Sequence, residues 1–316
     1  MNNTTFTPSS FSIISQELKL ALYVVFLILG LAGNIALLSV LTKKQISKDV
    51  FELLVINLSV ADVLFHLFYI APNIHRLADN GFEVSEFHCK FLYPFWTVAF
   101  CSQIFTITAM SLHRYWVVVY SLRPKPSKRA AVFWIVTIWS LSFIMAAPLI
   151  VVSKPVFPGS CLEAWPSQSH RKAFTVSLFL IQYAVPLAVI AVAYFKLVLF
   201  LVRSPGNQVS KMNIQVVKTT LAIVIIFAVC MFPSQLSWIL WDFARDNINW
   251  KIHQTVWSAG DLALCLHAAL DPVVYGVFVK RFRQAYTGWV LLLFSCGSRT
   301  LYKGRKKPLR HEDHAF

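Results

Sequence analysis

The chain has 316 residues, 57% of them hydrophobic and 14% charged, with a formal net charge of +15. Soluble domains carry about 25% charged residues, so a soluble fold this apolar would have to bury nearly everything. Composition therefore points to one membrane domain with short tails. The basic excess is sorted by side of the membrane, which argues against a nucleic-acid partner.

Residues 1–17 form a polar tail without the basic and small-residue pattern of a cleaved leader. Asn2-Asn3-Thr4-Thr5 holds overlapping glycosylation sequons at Asn2 and Asn3. A third match, Asn57-Leu58-Ser59, falls inside an apolar stretch and is discounted. Hydrocarbon about 30 Å thick takes roughly 20 helical residues to cross, and backbone groups in lipid must pair within their own segment. Spans are read at residues 18–42, 50–76, 87–119, 130–152, 172–202, 212–241 and 253–278. Each contains a residue that hydrocarbon or a helix disfavours: Asn34, Asp62, Arg114, Trp139, Pro186, Pro233 and the pair Asp271-Pro272. Ionisable groups at membrane depth face a bundle interior and serve a purpose there, and helix prolines mark kinks.

With the N-terminus outside, most of the 29 basic residues fall on the inner side, from Lys43, Lys44 and Lys48 to the run ending at Arg310. This bias fixes the orientation. Cys89 before the third span and Cys161 after the fourth share the outer, oxidising side, so a disulfide between them is expected. Beyond residue 278, bases mixed with Phe282, Tyr286 and Trp289 suit an interfacial helix over 279–294. Cys296 is a candidate for palmitoylation, and 295–316 reads as a disordered basic cytoplasmic tail. The expected fold class is an all-α membrane protein: a seven-transmembrane helix bundle over 18–278 with a short interfacial eighth helix.

Gly33-Asn34, Leu58 to Asp62, Ser111-Leu112-His113-Arg114-Tyr115, Trp139, Pro186 with Tyr194, Phe227 with Cys230-Met231-Phe232-Pro233, and Asp271-Pro272-Val273-Val274-Tyr275 with Phe282 occur in that order. Together they resemble the rhodopsin-like (class A) G-protein-coupled receptors over about residues 18–290. The resemblance implies that Arg114 is a gate released towards a G protein, with Tyr194 and Tyr275 as its active-state partners. Leu122 then packs against the G protein, and Ile104 and Phe227 join the prolines in an activation core. A topology anchor is the plainer reading of Arg114, as an interface leucine is of Leu122. The resemblance further implies a sodium site centred on Asp62 near Asn34, with Gln103 and His267 in place of smaller polar residues and Asp271 adding a carboxylate. Two close carboxylates share a proton or take a cation; this allosteric sodium ion is the one cofactor considered. Met231 stands where the family has a pivoting tryptophan, so the switch operates differently or is carried by Phe232 and Phe227. His113 replaces the acid that holds the arginine, and Asn213 an acid sometimes found on the sixth helix.

The expected ligand site is the outer vestibule, with Trp96, Phe100, Gln235, Trp238, Asp242, Trp257 and Asp261 as contacts. Trp241, Arg76, Arg171 and Lys172 stand nearby. Aromatic anchors with rim charges suit a peptide, although about half of such tryptophans serve as an interfacial belt. Trp96 and Cys265 stand where amine receptors and opsins carry an aspartate and a lysine. Leu112 to Pro126 and Cys161 to Pro166 look like receptors of the neuropeptide Y and prolactin-releasing peptide group, where an acid at Asp242's place meets a peptide arginine. The expectation is a basic or amidated extracellular peptide, a plasma-membrane location, and a heterotrimeric G protein, arrestin and membrane lipids as further partners. An orphan or constitutively active receptor with a non-peptide ligand is the alternative. A transporter would show inverted repeats and broken helices, and an enzyme a metal-spaced motif; neither is seen. Because histidine cannot hold Arg114 as a carboxylate would, ligand-free signalling is expected above background, falling on His113→Asp. A background reading that rises in this variant defeats the expectation.

Overall fold

The computed structural model describes residues 14–42, 49–79, 83–120, 123–124, 126–156, 160–203, 208–244, 249–278 and 283, with backbone alone for 208–216 and 278. Asn2, Asn3, Leu122, the 279–294 helix apart from Arg283, Cys296 and the tail lie outside the described residues, as does the side chain of Asn213.

Among the described residues, seven helices are long and apolar enough to cross a membrane. They are α1 (Gln16–Thr42), α2 (Val50–Ala78), α3 (His88–Val119), α4 (Lys128–Val152), α5 (Gln168–Arg203), α6 (Gln208–Phe243) and α7 (Trp250–Phe278). Several begin ahead of their apolar runs because polar caps start them. The Asp49 carboxylate accepts from Glu52 N at 2.7 Å, and the Ser127 and Ser167 hydroxyls accept from Ala130 N and His170 N. Ser167 adds the polar turn Gln168 to Arg171 to the top of α5, which hydropathy alone does not reveal. Of the seven, α3 is the most enclosed, while α1, α4 and α5 turn most of their surface outward. Phe133 and Val151 are about 70% exposed (69% and 73%), as a lipid-facing surface requires.

Among the described residues, wide π turns interrupt α2 at His66–Ile70 and α5 at Leu180–Ala184, and open α3 at His88–Leu92. Each is followed two residues later by a proline: Pro72, Pro94 and Pro186. A helix proline has no N–H and its ring crowds the carbonyl four residues back. That carbonyl belongs here to Phe68, Lys90 or Gln182, inside the widened turn, where the extra residue relieves the crowding. Pro148, Pro233 and Pro272 lie within continuous α-helix.

The face where α1 begins is called upper here. On it, α4 leads into a hairpin of β1 (Ser153–Val156) and β2 (Ser160–Glu163), antiparallel with Ser153 opposite Glu163. Cys161 on β2 is disulfide-bonded to Cys89 on α3, with Cα atoms 5.5 Å apart. The hairpin is thereby pinned over the bundle, as the compartment argument expects. At mid-depth Asn57 donates to Thr106 Oγ1 (2.7 Å) and accepts from Trp139 Nε1 (2.8 Å), which ties α2, α3 and α4 together. This gives the half-buried Trp139 its polar partner and removes Asn57 from any surface role.

Helices α6 and α7 pack backbone to backbone at Gly260, where an added Cβ would meet Ser234 Cα and N at 2.7 Å and Pro233 C at 2.8 Å. Backbone cannot rotate away as a side chain can. Gly260→Ala is therefore expected to cost about 1–3 kcal/mol, seen as a lower melting temperature of the detergent-solubilised protein; an unchanged melt defeats this.

Candidate functional site

Below the hairpin a cavity of about 450 Å³ opens at the upper face, and a smaller one of about 40 Å³ reaches deeper. Trp96 and Trp238 line both, Phe100 and Gln235 line the deeper one, and Trp257 and Asp261 line the larger. The structure thus brings six of the seven expected contacts to one vestibule. The aromatic walls are built by pairs across helices: Trp96 against Tyr69 at 4.9 Å, and Trp238 edge-on to Trp257 at 4.8 Å. On the floor, Gln235 donates to Gln182 Oε1 (3.4 Å), and Gln182 donates to Cys101 Sγ (3.1 Å).

Asp242 lines neither of these cavities. Its carboxylate accepts from Thr175 and is ion-paired with Arg171 Nε at 2.6 Å. The arginine expected at this acid is supplied by α5 itself. Asp261 is similarly engaged: it accepts from the Tyr23 and Tyr69 hydroxyls and pairs with Lys19 Nζ at 2.7 Å. The acid on α7 thereby joins α1 and α2. Lys172 places its ammonium 5.1 Å from the Phe243 ring centre.

Glu163, at the end of β2, lines both cavities. It accepts from Tyr93 Oη (2.9 Å) and Trp165 Nε1 (2.8 Å), both neutral donors. In sequence it lies within the stretch Cys161 to Pro166 and is not among the expected contacts. The available signal was its place two residues past Cys161, since the disulfide fixes that strand over α3. Arg76 lines the larger cavity too, and its guanidinium donates to Asn73 Oδ1 at 3.0 Å.

At mid-depth Asn34, Asp62, Gln103, His267 and Asp271 are all at most 1% exposed. Asn34 Nδ2 donates to the Gly30 and Ala268 carbonyls. The Gln103 and Asn34 side chains approach the Asp62 carboxylate, while both oxygens of Asp271 and both His267 nitrogens have no hydrogen-bond partner. Phe227, fully buried, meets His267 edge-on at 5.9 Å beside the fully buried Met231. Phe232 is 53% exposed, so it faces outward and cannot carry a switch in the core. Pro233 lies within α6 one residue beyond it.

At the lower end His113 and Arg114 are buried, Tyr115 half-buried, and the Tyr275 hydroxyl lies 3.9 Å from Met110 Sδ. Tyr194 is buried at the edge of the same core. Arg114 Nε has no hydrogen-bond partner, and its guanidinium lies over the Phe51 ring.

Seven membrane-long helices, a polar middle, a buried arginine at one end and a roofed cavity at the other define a seven-helix membrane receptor. The chain belongs to the rhodopsin family, matching the description "7 transmembrane receptor (rhodopsin family)" over residues 33–275. It is 29% identical to the galanin receptor type 1 of Homo sapiens, over 82% of this chain and 77% of that one. It is 27% identical to the neuropeptide Y receptor type 6 of Mus musculus, covering 84% and 78% respectively. With the neuropeptide FF receptor 1 of Rattus norvegicus the identity is 25%, covering 84% and 68%.

The Arg171–Asp242 pair is asymmetric, with side-chain exposures of 19% and 2%. Arg171→Ala strands a buried carboxylate, while Asp242→Ala lets the arginine turn to water. Thermal melts are expected to show the first costing about 2–3 kcal/mol, the second about 1, and the double variant less than their sum. Additive losses would mean the pair is not coupled.

Proposed function

We propose that the chain is a plasma-membrane receptor with its N-terminus and upper face extracellular, which binds a peptide in the vestibule and activates a heterotrimeric G protein at its lower end. It catalyses no reaction; the ligand acts by shifting a two-state bundle. The carrying observation is the aromatic cavity beneath the disulfide-pinned hairpin, in a chain similar to receptors named for galanin, neuropeptide Y and neuropeptide FF. Arrestin and membrane lipids are further partners in this reading.

The cavity charges indicate how a basic or amidated peptide would sit. Asp242 and Asp261 are matched by Arg171 and Lys19 from the same chain. Glu163 is met by neutral donors, so a ligand cation gains most beside it. Side chains of Trp96, Trp238 and Trp257 supply the anchoring faces. The sodium ion remains part of this proposal: Asp62, Asp271 and Asn34 offer hard oxygen donors, and the unpartnered Asp271 oxygens and Asn34 Oδ1 fit a small cation. Bound there, it would offset the two carboxylates and favour the closed bundle.

A peptide-library screen on cells expressing the full chain, reading several second messengers, is the direct test. An agonist is expected to lose about tenfold or more in potency in Glu163→Gln and less than about threefold in Asp242→Asn. Full potency in Glu163→Gln defeats the placement of the cation; silence to every peptide counts against the peptide reading.

A further inference from the structure

We propose that Phe51 is the positioning residue for Arg114, its aromatic face standing in for the carboxylate that the neighbouring position does not provide. The proposal rests on the reading of the lower end as the G-protein side. In sequence, Arg114 is preceded by His113, which offers no carboxylate. In space, the Arg114 guanidinium carbon lies 3.5 Å from the centre of the Phe51 ring. Both residues are buried, at 6% and 8% exposure. The His113 ring stacks on the same phenyl at 6.4 Å and 21°, and meets Trp134 edge-on at 6.5 Å.

Phe51 is itself held in place. It sits in the first turn of α2, whose cap residue Asp49 uses Oδ1 to accept from Glu52 N at 2.7 Å. The Asp49 carboxylate also attracts Arg114, but that oxygen is committed to the cap while the ring lies directly under the cation. A planar guanidinium stacks well on an aromatic face, and the attraction strengthens when both are desolvated. Such a contact fixes the plane of the arginine but, unlike a two-pronged carboxylate, does not fix its azimuth. It can therefore be left without breaking a two-pronged ion pair, and the holding force of the ring depends on its electron density. The arginine gate of this bundle is an aromatic one.

Electron density is the property to vary. Mono-, di- and trifluorophenylalanine at position 51 of the full chain change the ring's charge distribution with little change in size. Spin labels on the lower ends of α3 and α6 read the open fraction without any G protein. The open fraction is expected to rise stepwise along the series, by about three- to tenfold overall, and to rise as far in Phe51→Leu; Phe51→Tyr and Phe51→Trp stay near the starting value. A flat fluorine series overturns the proposal, even if Phe51→Leu opens, because that pattern is packing alone. Should Phe51→Leu fail to fold, the near-isosteric series decides. Nucleotide exchange on a panel of purified G proteins, run on the same samples, tests the coupling reading separately. Absent exchange counts against coupling, while the spin distances still decide the role of Phe51.

Discussion

A hydrocarbon surround supplies no hydrogen-bond partners, so each polar group within this bundle must be matched by the protein or stand unmatched at a cost. The structure meets that constraint differently at three depths. In the upper part the acids are matched: Asp242 by Arg171 and Thr175, Asp261 by Lys19, Tyr23 and Tyr69. At mid-depth Asn57 is bonded by both Thr106 and Trp139, while the chamber around Asp62 and Asp271 holds several unmatched atoms. At the lower end the buried cation rests on a ring. Rigidity in the upper part and looseness at the lower end follow from this distribution, because matched buried networks resist rearrangement.

The prolines show the same constraint acting on the backbone. Where Pro72, Pro94 and Pro186 interrupt the hydrogen-bond ladder, the preceding turn widens. Each wide turn adds a residue and rotates the helix above it relative to the part below. The side chains that line the vestibule from α2, α3 and α5 sit at or near those turns, among them Tyr69, Trp96 and Gln182. Cavity shape is thus partly a product of how the chain accommodates a missing N–H. By contrast, Pro233 and Pro272 lie in unbroken helix below the cavity, where bending has no such local outlet.

Much of this was legible in the sequence, for identifiable reasons. Span length, charge asymmetry and the shared compartment of Cys89 and Cys161 are one-dimensional signals, and they gave the seven helices and the disulfide. Facing relations were not legible. Asp261 meets Tyr23 and Tyr69 across 238 and 192 residues, and nothing in its neighbourhood announces them. Asp242 reads as a rim acid until Arg171 is seen beside it. Phe232 and Phe227 are alike as letters, yet helix rotation sends one outward and the other into the core. Phe51 reads as one apolar residue among many. Its significance comes from a missing acid at His113, and a substitution is legible only as a question about what compensates it.

Gly33 gives the bundle a mechanical property. A Cβ there would lie 2.6 Å from Pro272 Cγ, so the proline ring of α7 is seated in a notch on α1. Higher up, α7 is fastened to α1 and α2 through Asp261. Two bearings, one at Asp261 and one at Pro272, leave the stretch of α7 between them as a fixed beam. Its free arm is the short stretch beyond Pro272 that carries Tyr275. The notch is a fulcrum, and a short arm trades travel for force.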